Sequence, residues 1–575
     1  MNTLLTAAPP RTLDRLLAEA GAGPYALWCF DDRAARQAAE AALAARGVST
    51  HIRSAYKPLL HAFLEEIPLE GLTEAAITYP VHPDADPKRF RLETYPLAAL
   101  LPDVRITLIP GGPALHYDLD LTYGAITKTR RVFAPNRHHV AVSGLPALSP
   151  TGWIVTPTRD ERLETDLEAL FDAAMTALAG RDWSGADGTP GPYFDQLVFD
   201  VTLPARDEPL AHGDEVLSLA EALHEDLYFS SLEYFQHISG RPAGDRGLQP
   251  GQIVPRVRCG PEPRLEVRLQ PFPKSMPAAH TEPPALDMAG APLTPCQIAA
   301  SLASLGGEAF TATTRTGRAL EARQFQGAGA PVMISAGQHA NETTGIVGAL
   351  RAGRRLAAEG AAFTLSPLEN PDGYALHQAL IAENPRHMHH AARYTALGDD
   401  LEYREEQGIL YEKAIRHEAE RRSGAKLHIN LHGYPSHEWT RPLSGYVPRH
   451  FAMWTLPKGF FLILRHHPDW ATQAEALVDA VTSHLAAMPG VLEENARQIA
   501  LYEAHAGETG FQMINGFPCL IGADARHRVP VTLITEYPDE TIYGPAFVQG
   551  QTVQMETVLA ARAAWQRLHR PAAIA

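Results

Sequence analysis

Three short runs in the second half of the chain constrain the fold most: residues 331–336, the alternating stretch from Leu427 to Leu431, and residues 529–535. The first and last are apolar and the middle one alternates, all three are β-forming, and each leads directly into polar chemistry, at Gly337 and His339, at His432, and at Glu536. Runs of this kind are too short for buried helices and fit strands covered on both faces. Helical signals lie between them, as in 346–358, so the second half reads as α/β with a mixed sheet and helices on both faces. Polar side chains at the carboxyl ends of such strands are where open α/β sheets place their sites.

A chain of 575 residues exceeds one ordinary domain. Residues 271–295 hold seven prolines and little apolar periodicity, which suits an extended connector. The expected division is therefore an α+β region at 1–270, a connector at 271–293 and a catalytic domain at 294–570. The first region starts with a strand at 25–30, capped by Asp31 or Asp32 into an Ala-rich helix ending at Gly47. Residues 75–156 read as β-rich, including 104–109, and the region has room for two subdomains, 1–156 and 157–270. Residues 197–203 read as a strand, and Ser218 with Glu221 opens a capping box and an amphipathic helix to about Phe235. His212, Asp214, His224, Glu225 and Asp226 cluster there, but consecutive residues on a helix diverge, so a solvated face with one packed His is expected rather than a metal site.

After the connector, 296–305 reads as a helix and 311–325 as two strands around the Thr316-Gly317 turn. In the segment 334–345, His339 and Glu342 sit three apart in a turn, on one face. A chain with 26 His and 66 acidic residues produces such pairs by chance, so a third donor is needed. His432 supplies it; His428, on the same strand face but deeper, reads as a hydrogen-bonded structural residue. A zincin helix is excluded because Ile429 stands where that motif needs its Glu. Glu536 closes a buried strand, a costly place for a carboxylate without purpose, and is the expected general base.

These residues resemble, in order, the zinc carboxypeptidases of the carboxypeptidase A type: Gly337-x-His339-x-x-Glu342, then Asn370-Pro371-Asp372-Gly373-Tyr374, then His432-Gly433-Tyr434 for the usual His-Ser-Tyr, then Glu536. The run 314–320 resembles the strand and turn before the zinc motif, so the likeness spans roughly 294–570. The resemblance implies one zinc ion per chain on His339, Glu342 and His432, with Glu536 as base. It also implies an arginine that polarises the scissile carbonyl, assigned to Arg386 with Arg393 in reserve.

The chain also departs from the family. Where the usual Asp-x-Asn-Arg clamps the substrate's terminal carboxylate, it reads Asp400-Leu401-Glu402-Tyr403, with Arg404 one place later. No tyrosine lies in 516–528 to serve as the mobile substrate-binding residue, leaving Tyr434 and Tyr502 by type alone. Substrate contacts are accordingly expected from Arg393, Tyr403, Arg404, Tyr434 and Arg441, with Arg526 and Arg528 as further anion-binding candidates.

The expected activity is hydrolysis of an amide bond in a peptide or peptide-like substrate. Deacylation of N-acyl amino acids is a second enzymatic reading, and a binding protein that has lost the chemistry a third. A formal charge of -16 disfavours nucleic acid and a membrane surface as partners. No segment offers the ~20 apolar residues of a spanning helix, and no basic-then-apolar leader opens the chain. Four scattered cysteines, read as small buried side chains, suit a reducing cytoplasm. Oligomeric state is left open.

Overall fold

The computed structural model describes residues 2–21, 23–183, 191–273, 282, 284–447 and 454–569. Within the connector, positions 274–281 and 283 lie outside the described residues. The chain forms two compact units that are not collinear with it. The first takes residues 1–271 together with 437–456 and 501–508; the second takes 272–436, 457–500 and 509–575. Each is described separately.

In the first unit, strand Tyr25–Cys29 runs into helix Arg33–Ala44, whose Asp32 cap accepts the Ala35 amide at 2.9 Å. The β-rich middle includes a sheet of Arg105–Pro110, Leu72–Tyr79, His116–Tyr123 and Ile126–Phe133, and a hairpin of Asn136–Val140 with Pro146–Pro150. A cut after 156 would sever another sheet, because Asn2–Ala7 pairs antiparallel with Arg264–Gln270 beside Gln196–Leu203. Helix Leu219–Ile238 begins at Ser218, which accepts the Glu221 amide at 3.0 Å.

That helix corrects the amphipathic reading. Its residues 219–236 are buried on every side, His224, Glu225 and Asp226 included. The acids survive burial because the excursion 437–456 brings partners. Glu221 meets His437 Nε2 at 2.7 Å and Glu233 accepts Arg441 Nη1 at 2.6 Å. Asp226 accepts the Leu443 amide at 2.7 Å and the Ser444 hydroxyl. Buried charges are tolerated when paired and hydrogen-bonded in this way.

Among its described residues the second unit holds a mixed sheet of nine strands: β1 Glu308–Thr313, β2 Ala319–Phe325, β3 Ala328–Ala336, β4 Ala361–Ser366, β5 Leu427–Pro435, β6 Phe461–His466, β7 Gln512–Ile514, β8 Phe517–Ala523 and β9 Val531–Glu540. Their order is β1-β2-β4-β3-β5-β9-β6-β8-β7, with β4, β3, β5 and β9 mutually parallel. Helices of the unit include α1 Pro295–Ser304, α2 Thr344–Ala358, α3 Pro371–Glu383, α4 Ala414–Ser423, α5 Ala471–Ala486 and α6 Pro545–Leu568. Alternation along β3 explains the layering. Val332, Ile334 and Ala336 enter a core with α2, α5 and α6, while Met333 enters a second core with Ile415 and Ala419 of α4. Both faces of the sheet are thus covered, as the apolar runs require.

Candidate metal centre

The central parallel strands deliver the site. β3 ends at Ala336, and Gly337 turns the chain at φ +63°, where a Cβ would lie 2.9 Å from Leu368 Cδ1. This sharp turn, open to glycine, sets His339 and Glu342 beyond the strand end and before α2. β5 carries His432 next to Glu536 of β9 in the parallel register, so both side chains leave the same face.

Three side chains converge. His339 Nδ1 is 2.8 Å from Glu342 Oε1, His432 Nδ1 is 2.9 Å from Glu342 Oε2, and the two Nδ1 atoms are 3.0 Å apart. All three residues are buried, and the set satisfies the spacing of a common cation site. Donors about 2.0–2.1 Å from a tetrahedral zinc lie about 3.3 Å apart, so a slight opening of this cluster accommodates the ion. Two imidazoles and a carboxylate are the ligand types of catalytic zinc, and the residues fit it.

The support around the donors is equally specific. Asp400 Oδ2 lies 3.3 Å from His339 Nε2 and Oδ1 accepts Gln338 Nε2 at 2.9 Å and the Glu402 amide at 3.0 Å. A carboxylate at Nε2 keeps the ring proton there and presents the Nδ1 lone pair to a metal. Arg393 Nη1 donates to Glu342 Oε1 at 2.7 Å, and its buried Nε has no partner. Against the burial that would raise it, the charges of His339, Arg393 and His432 hold Glu342 well below the usual carboxylate range. Burial and then the Glu342 charge push Glu536 well above it. Burial brings the Lys458 ammonium down to about 7, opposed by the charge of nearby Glu536.

Asp539 explains why Gly433 stands where the resembling family has serine. Its Oδ2 accepts the Thr344 amide at 2.9 Å and hydroxyl at 2.7 Å, at the start of α2. A Cβ on residue 433 would run into the Asp539 carboxylate and lie 2.8 Å from Tyr537 O. His428 is buried, with Nε2 2.7 Å from Ser335 Oγ.

Several of the expected site residues are engaged away from the donor cluster. Arg386 is exposed with its guanidinium over the Tyr543 ring, so Arg393 is the arginine joined to the donor cluster. Arg404 is buried and engaged: its Nη2 and Nε bind Asp399 and its Nη1 binds Glu412 and Leu410 O, with Thr395 Oγ1 on Nη2. Tyr434 is committed to backbone, donating to Gly459 O at 2.6 Å and accepting the Lys458 amide at 2.9 Å. Arg441 belongs to the first unit, paired with Glu233, and Tyr502 is buried in that unit. Tyr403 is exposed beneath Arg526, which pairs with Asp524; Arg528 pairs with Glu420. Glu402, at the clamp's Asn position, is held by Arg416 at 3.0 Å and His527 at 3.1 Å. Of the cysteines, Cys29 and Cys519 are buried, but Cys259 is exposed.

Asp400 and Lys458 were not assigned roles from sequence. Asp400 stood in view inside the departed clamp motif; Lys458 carries no local signal, since only tertiary structure brings it beside Glu536.

The fold and the donor set together define a mixed α/β region with a candidate His-Glu-His cation site on the carboxyl side of its parallel strands. About half of the chain is similar to metallo-carboxypeptidases of known structure. One, from Burkholderia cenocepacia, is 14% identical, with 54% of this chain and 76% of that one covered at a TM-score of 0.30. Another, from Pseudomonas aeruginosa in complex with (2-guanidinoethylmercapto)succinic acid, is 16% identical, covering 48% and 68% at 0.27. Carboxypeptidase A from Helicoverpa armigera is 10% identical, covering 48% and 73% at 0.28. No family model and no curated protein matches the chain. Among the described residues, no helix is long and apolar enough to cross a membrane.

Proposed function

We propose that this protein is a zinc-dependent hydrolase that cleaves an amide bond of a peptide or peptide-like substrate, with His339, Glu342 and His432 holding the ion. One observation carries the reading: three donors from two distant segments meet within 3.0 Å of one another, with Glu536 in register beside His432. When bound, zinc supplies a Lewis acid that polarises the scissile carbonyl and acidifies water. Glu536 takes the proton of the attacking water and returns it to the departing nitrogen, a task suited to a carboxylate of raised proton affinity. Arg393, half-buried against Glu342 with its Nε unpartnered, is the cation assigned to the oxygen that gains charge as the carbonyl is attacked. Asp400 holds His339 in the tautomer that ligation needs.

Recognition of the substrate's end differs from the usual clamp. An anion, Glu402, and an exposed Tyr403 occupy the positions of the Asn-Arg pair, and Arg404 is consumed by Asp399 and Glu412. A free terminal carboxylate is therefore not held at these positions by an Asn-Arg pair, and because N-acyl amino acids carry the same carboxylate, turnover has to separate them from peptides.

The test is turnover by zinc-loaded protein on free peptides, carboxyl-amidated peptides and acyl-amino acids, with Glu536→Gln alongside. That variant is expected to keep its zinc and lose on the order of a hundredfold or more in kcat. Wild-type turnover in the variant, or no zinc in the folded wild type, would overturn the proposal.

A further inference from the structure

We propose that the first unit carries a second transition-metal site, formed by His82, Asp84 and His138, which ties the turn after strand Leu72–Tyr79 to strand Asn136–Val140. These residues play no part in the chemistry proposed above and all belong to the first unit. Besides the His-Glu-His cluster, they form the other group among the described residues whose donors all lie within 4.8 Å of one another.

The geometry is close to that of a filled site. Asp84 Oδ2 lies 3.4 Å from His138 Nδ1 and 4.0 Å from His82 Nδ1, and the two imidazole rings are 5.2 Å apart between centroids. The corresponding donor separation around a tetrahedral zinc is about 3.3 Å, so small side-chain rotations close the triangle. His82 is already fixed toward the loop, because its Nδ1 accepts the Asp84 amide at 3.1 Å. Ligation exchanges that one hydrogen bond for a metal–nitrogen bond. The loop is short and begins with His82-Pro83, so little backbone freedom remains to be lost. Pro83 cannot donate there, which leaves the histidine and carboxylate as the groups presented.

Chemistry narrows the ligand. Two imidazoles and one carboxylate suit zinc, nickel or copper far better than calcium or magnesium, which prefer all-oxygen sets. With His138 and Asp84 about half exposed, at 58% and 48%, water completes the coordination and the ion exchanges with solvent. The role that follows is structural: a clip between segments more than fifty residues apart in sequence, closing a loop that the unfolded chain leaves open. Such a clip stabilises the first unit by an amount that rises with the logarithm of free metal once this exceeds the Kd.

The test uses the full chain, stripped of metal by chelator, dialysed against micromolar zinc chloride and assayed for bound zinc. Wild type is expected to hold two ions, and His138→Ala and Asp84→Asn one each, with unchanged hydrolytic turnover. His339→Ala, disabled at the other cluster, is expected to keep one ion and to show a zinc-dependent rise in Tm that the double variant His339→Ala/His138→Ala lacks. If the proposed hydrolase centre is wrong but this site is right, wild type holds one ion and His138→Ala none. Equal zinc content in wild type and His138→Ala, or uptake only at millimolar zinc, would overturn the second site.

Discussion

Replacing Asp400 by Asn tests whether the donor cluster is built to bind a metal or merely packs together. The side chain keeps its shape and loses its charge. In the native protein Oδ1 accepts two donors, Gln338 Nε2 and the Glu402 amide, while Oδ2 faces His339 Nε2. In the Asp400→Asn variant the one remaining oxygen must stay with those two donors, which turns the NH2 group toward His339 Nε2. Two donors cannot share that contact, so the ring proton moves to Nδ1, the atom that faces Glu342 and His432. The flipped amide restores the histidine contact but opposes its NH2 to two N–H groups. Either way the ligand set is disturbed, and loss of such an outer partner lowers metal affinity about 10–100-fold, or about 1.4–2.7 kcal/mol. Competition against a chromogenic chelator at neutral pH measures this directly, with circular dichroism confirming the fold. Zinc affinity equal to wild type in a folded Asp400→Asn protein would refute the reasoning.

Arg404→Met leaves Asp399 and Glu412 buried without their cation, so it is expected to cost about 3–5 kcal/mol of stability by chemical denaturation. A raised KM with unchanged stability would instead restore Arg404 as a substrate contact. His437 supplies a pH dependence: burial lowers its pKa, but Glu221 outweighs this and raises it to about 9. A folded pKa above the unfolded ~6.5 stabilises fully below that value and is lost as pH rises toward 9, in total about 3 kcal/mol. Unfolding free energy from pH 6.5 to 9 should therefore fall more steeply in wild type than in His437→Gln, and parallel profiles would exclude the pair as the cause.

The residues of the second unit announced themselves because they lie where local pattern and site coincide. His339 follows the end of β3, but β5 and β9 run on past His432 and Glu536 to Pro435 and Glu540, so the strands are longer than the apolar runs suggested while the same side chains are still delivered in register. The helix after Ser218 shows where pattern is insufficient. Its sequence mixes acids among apolar residues and reads as half-solvated, yet Glu221, Asp226 and Glu233 are buried because residues 437–444, two hundred positions away, bring the donors they need.

Arginines mark the same boundary. Nothing local distinguishes Arg386 from Arg393 or Arg404, since each has a long side chain whose partner depends on how distant segments pack. Tertiary structure places the first over Tyr543, the second against Glu342 and the third between Asp399 and Glu412. The sequence by itself determined the sheet's central strands and the donors they carry, because backbone periodicity is a near-neighbour property. Which charges are neutralised, and thus which remain for a ligand, only the tertiary structure decided, because pairing is settled by contacts between residues far apart along the chain.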